Sequence, residues 1–71
     1  MNTLLFEALK ARYKADEIDA VARLSIYAKN AVGIGEHPQI TEEMDKLVQQ
    51  YVDAKEKHSA VQDIESLLQN G

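Results

Sequence analysis

Glycine and proline cluster at one place in this chain, Val32-Gly33-Ile34-Gly35-Glu36-His37-Pro38, close to the midpoint of its 71 residues. From Thr3 to Val32 and from Gln39 to Leu68 neither residue occurs, and Ala, Leu, Glu and Lys are frequent. Those are helix formers, whereas glycine and proline interrupt helices. The pattern therefore predicts an all-α fold, a single antiparallel two-helix hairpin over residues 1–71 with a helix at about 3–32, a loop at 33–37 and a helix at about 38–69.

Thr3 suits the N-cap of the first helix, with Asn2 as the other candidate. Leu4, Ala8, Ala11, Ala15, Ile18, Ala22 and Ser25 are spaced alternately by four and three residues, the spacing of a coiled-coil seam built on small side chains. A second stripe runs through Leu9, Tyr13, Ala20, Leu24, Tyr27 and Ala31, so one neighbouring helix cannot cover this arm. Asp19, Arg23 and Asn30 form its polar strip and are expected on the solvent side of an assembly.

In the second arm the seam reads Ile40, Met44, Leu47, Tyr51, Ala54, His58, Val61, Glu65 and Leu68, widened by Val48, Val52, Ile64 and Leu67. Pro38 suits a first helical position, and Thr41 before Glu42 and Glu43 suits a cap; Ile40 already belongs to the stripe, which favours the earlier start. Each arm should be on the order of 40 Å long, and matched lengths favour antiparallel pairing. Residues 1–35 carry five basic and four acidic groups and residues 36–71 three basic and eight acidic, a bias that helps the arms pair.

A chain this short hides a small fraction of its surface, and with no cysteine it lacks both disulfide bracing and a thiolate metal site. Oligomerisation is the remaining usual remedy. Exposed apolar stripes normally mark an interface, so two hairpins should make a four-helix bundle or three a six-helix one. Ile18, Leu24, Tyr27, Met44, Leu47, Tyr51, His58, Val61 and Leu68 are the expected oligomer interface, and His58 is expected to set register there. A homodimer is the first expectation and a trimer the second.

The formal charge of −4 disfavours a nucleic-acid partner, because phosphate binding draws on clustered Lys and Arg. Apolar stretches fall far short of the roughly 20 residues that a membrane span needs. A soluble, intracellular protein is expected. Gly33 suits a left-handed helix end with Ile34 folding back on the last turn, and His37 before proline is pushed toward an extended conformation. The loop is thus a specified corner.

Glu36, His37 and His58 are the only hint of metal or acid-base chemistry, and they do not converge: His58 lies about five helical turns from the loop. Gly33-Ile34-Gly35 lacks the preceding strand and the Gly-Lys-Ser/Thr ending of a phosphate cradle. Tyr13, Tyr27 and Tyr51 lie on apolar stripes, where packing is the better account than base stacking. No triad-like arrangement of serine or threonine with histidine and a carboxylate is present, so neither a catalytic site nor a cofactor is expected.

The run from Tyr27 to Ile40, set between two charged helices, resembles short uncharacterised proteins encoded by myovirus-type phages of marine cyanobacteria. These carry an Asn-Pro-Val-Gly-Ile-Gly-Glu-His-Pro-type segment in the same place, and the distinctive match spans Val32 to Pro38 with Ile40. Ala31 stands where that pattern has proline, which fixes the helix end less sharply. The resemblance implies a phage origin and expression in the cytoplasm of an infected bacterium, but no activity. The resulting expectation is a non-enzymatic, self-associating accessory or protein-interaction module. The alternative is an adaptor that binds and modulates a host or phage enzyme through the Ile34–Gln39 loop, with Gly33, Ile34, Gly35, Glu36, His37 and Pro38 as partner contacts.

Overall fold

The computed structural model describes residues 3–29 and 39–70. They form two helices, α1 (Leu4–Lys29) and α2 (Gln39–Asn70), packed against each other as a hairpin. At 1.5 Å per residue the helices are about 39 and 48 Å long. The molecule is accordingly a rod, 55 × 15 × 12 Å, with a radius of gyration of 16.4 Å, against about 11 Å for a compact chain of this length.

The Thr3 carbonyl accepts the first helical bond of α1, from the Glu7 amide at 3.0 Å, which makes Thr3 the residue that opens the helix. Glu7 in the first turn and Lys29 in the last both complement the helix dipole, as does Glu42 in the first turn of α2. The expected helix end near Val32, the loop at 33–37 and the Pro38 start all lie outside the described residues.

Three contacts fix the antiparallel register. Lys10 meets Glu65, the Lys57 ammonium lies over the Tyr13 ring, and Gln50 meets Asp16 and Asp19. As numbers rise along α1 from 10 to 19, those of their partners fall from 65 to 50.

On α2 the seam toward α1 follows the sequence pattern. Ile40, Met44, Leu47, Tyr51, His58 and Glu65 are half-buried, and Ala54 and Val61 are buried. Leu68 is the exception and stays exposed.

On α1 the structure reverses the order of the two stripes. Leu4, Ala8, Ala11, Ala15, Ile18, Ala22 and Ser25 are all exposed outside the seam, with Ile18 and Ala22 at the edge of a groove that Tyr51 of α2 also lines. Leu9, Tyr13, Leu24 and Tyr27 turn toward α2, with Ala20 fully buried among them and Phe6 extending the row. Area explains the choice. Burial is worth roughly 25 cal/mol per Å² of apolar surface, so a stripe of Leu and Tyr gains far more than one of Ala. Tyrosine can also leave its hydroxyl at the rim of a two-helix contact while burying its ring.

The resulting core is small. Among the described residues only Ala20, Ala54 and Val61 are buried, at 0%, 3% and 6% exposure, and no large side chain is fully enclosed. Small residues on both helices let the axes come close, but each hides little area.

Candidate functional site

Two antiparallel helices leave two flanks, and here the flanks differ in chemistry. One carries a hydrogen-bonded polar network beside a groove of about 300 Å³ lined by Ile26, Tyr27 and Leu47 with Arg23, Glu43, Lys46 and Gln50. Gln50 Nε2 donates across the seam to the Asp16 carbonyl at 2.8 Å and to Asp19 Oδ2 at 2.9 Å. Asp19 Oδ1 accepts from Arg23 Nε at 2.9 Å, so both carboxylate oxygens are used. Gln50, and after it Arg23, hold the Asp19 carboxyl below the usual carboxylate range, and Asp19 holds the Arg23 guanidinium above its own. Lys46 pairs with Glu43 at 3.4 Å, and Gln49 Nε2 donates to Asp53 at 2.8 Å, on the same side. Asp19 and Arg23 thus border the α1–α2 seam, where the sequence pattern placed them on open solvent. Asn30 lies outside the described residues.

The other flank is apolar toward the loop end. A groove of about 320 Å³ is lined there by Lys14, Glu17, Ile18, Val21, Ala22 and Tyr51. Val48 and Val52 continue it along α2, at three residues before and one after Tyr51, and both are exposed, like Ile18 and Val21. Lys55 caps this side with its ammonium 5.7 Å from the Tyr51 ring centroid. Toward the open end the flank becomes charged and polar. Lys10 lies there, 2.8 Å from Glu65 and 2.9 Å from Glu7. Glu65, and after it Glu7, raise the Lys10 ammonium above its usual value. By helical spacing, Leu5, Ile64 and Leu68 form a smaller exposed patch at the open end of the polar flank.

The residues expected at an oligomer interface therefore divide. Leu24, Tyr27, Met44, Leu47, Tyr51 and His58 are half-buried, and Val61 is buried, in the seam between the two helices of one chain. Only Ile18 and Leu68 of that set are exposed. Val21 was not singled out from sequence, nor were Lys14 and Glu17. Their stripe, Lys10-Lys14-Glu17-Val21-Leu24-Ala28, does have alternating four and three spacing, but its three charges mask it. The loop residues Gly33, Ile34, Gly35, Glu36, His37 and Pro38 lie outside the described residues.

Among the described residues no group of three or more His, Asp or Glu is placed to hold a metal ion, and no helix is long and apolar enough to cross a membrane. Comparison of the chain with protein families, curated proteins and solved structures gives no match.

Proposed function

We propose that the protein works as a self-associated helical bundle, two hairpins or three joined through the faces that one hairpin leaves bare. In this reading it is a non-enzymatic accessory or interaction protein of a phage, acting in the cytoplasm of the infected bacterium. One observation carries the self-association. Three small or medium side chains form the whole described core, while ten large apolar ones, from Leu4 to Leu68, remain 41% to 75% exposed. A core of that size rarely sustains a chain of this length without disulfides, metal or a second copy. The phage setting rests on the resemblance of the Val32–Pro38 segment.

Light scattering on the purified protein at micromolar concentration tests the assembly. The expected mass is two or three times 8.0 kDa, and a stable, folded particle of one chain would overturn the reading. Proteomics of phage-infected cells tests the setting, with a peptide of this chain expected only after infection.

A further inference from the structure

Building on that self-association, we propose that the occupant of the Val21–Tyr51 groove is a second copy of this chain, docked flank to flank about a twofold axis parallel to the helices, with both loops at the same end.

The area fits. The hairpin exposes 5541 Å², about 1,100 Å² more than the ~4,450 Å² usual for a compact monomer of its mass. A standard interface removes about 800 Å² from each partner, so one flank is enough to hide most of that excess.

The distribution of side chains along the flank selects the orientation. Val21 on α1 and Val48 and Val52 on α2 lie toward the loop end, and Lys10 and Lys14 lie toward the open end with Ser59 and Gln62. With the loops at opposite ends, full overlap of the two rods would lay each copy's valines over the other's lysines, and sliding the copies until valine meets valine would give up the rest of the contact. With the loops together, apolar meets apolar along the loop half.

In that arrangement α1 of one copy runs antiparallel to α2 of the other, at the heights that already align them within the hairpin. Val21 then faces Val48 and Val52 of the second copy. Glu17, which makes no ion pair among the described residues, comes level with Lys55 of the second copy, and the twofold axis makes this pair twice. The Gln50 and Asp19 network remains on the outer, solvent-facing side.

Because the chain has no cysteine, the contact can be tested by disulfide trapping. A Glu17→Cys chain is refolded together with a Lys55→Cys chain and oxidised, and the linked dimer is compared with that from either chain alone. The mixture is expected to link at least about 10-fold faster. In parallel, Val21→Glu is expected to weaken the dimer about 100-fold or more, since a charge would be buried without a partner. Leu67→Glu, on the back of α2, should leave the mass unchanged. If Val21→Glu fails to fold, the trapping result alone decides. A wild-type dimer that neither links 17 to 55 preferentially nor responds to Val21→Glu overturns this geometry and leaves self-association standing; a wild-type monomer overturns both.

Discussion

Gln50 and Asp19, 31 residues apart in sequence, meet at 2.9 Å across the hairpin, with the Gln50 amide donating to the carboxylate oxygen that Arg23 does not use. The same amide nitrogen donates to the Asp16 carbonyl at 2.8 Å, so one side chain on α2 is pinned to two points of a single turn of α1. Such a clasp fixes the sliding register of two helices whose apolar stripes would tolerate a shift by a heptad.

Gln50→Ala should therefore lower stability by about 1–2 kcal/mol, the loss of one part-buried and one charge-assisted hydrogen bond. In a domain of this size each 1 kcal/mol is worth about 4–8 °C in Tm. Thermal unfolding followed by circular dichroism measures it, and an unchanged Tm would show that the clasp adds nothing to the stability of this register.

The reversed stripes on α1 make a paired prediction. Ala20→Leu forces a large side chain into the closest part of the seam and should cost about 1–3 kcal/mol. Ala11→Leu, on the outward stripe, should change stability by less than about 0.5 kcal/mol. A larger loss at Ala11 than at Ala20 would mean that the Ala11 stripe is the one facing α2, and equal losses would remove the ranking of the two stripes.

Val61 is the largest side chain in the buried set. Val61→Ala removes two methyl groups and should cost about 1.5 kcal/mol. A chemical denaturation curve with an unchanged midpoint would place the core elsewhere.

Stability should fall at both extremes of pH through identifiable groups. Asp19 has a lowered pKa in the fold, so its contribution is present above its ordinary value of 3.8 and is lost as pH falls through the lower folded value. Lys10 has a raised pKa, so its contribution is present below its ordinary 10.5 and is lost as pH rises through the higher folded value. Asp19→Asn should flatten the acid limb of a Tm-against-pH curve and leave the alkaline limb alone, with Lys10→Met doing the reverse. Curves that superimpose on wild type would remove both assignments.

Folding coupled to association makes Tm depend on protein concentration. Between about 5 and 500 µM the midpoint should rise by several degrees. A midpoint that stays constant over that range would argue for a hairpin that folds alone.

How much of this was legible beforehand follows from which interactions are local. The long stretches free of glycine and proline, and the single cluster of both between them, were enough to determine two helices folded back on each other, because helix formation and interruption depend on near neighbours in the chain. On α2 the row from Ile40 to Glu65 was readable as a row, but periodicity did not say what it packs against: Met44, Leu47, Tyr51, His58 and Val61 were expected at an oligomer interface and lie between the two helices of one chain. On α1 two stripes with similar spacing compete, and periodicity names faces without ranking them. Only the packed hairpin decided between them, by how much area Leu9, Tyr13, Leu24 and Tyr27 hide compared with a row of alanines. The polar and apolar flanks were decided there too. They arise where Gln50 reaches Asp19, and where Val21 shares a groove with Tyr51, and contacts across some thirty residues have no signature in linear spacing.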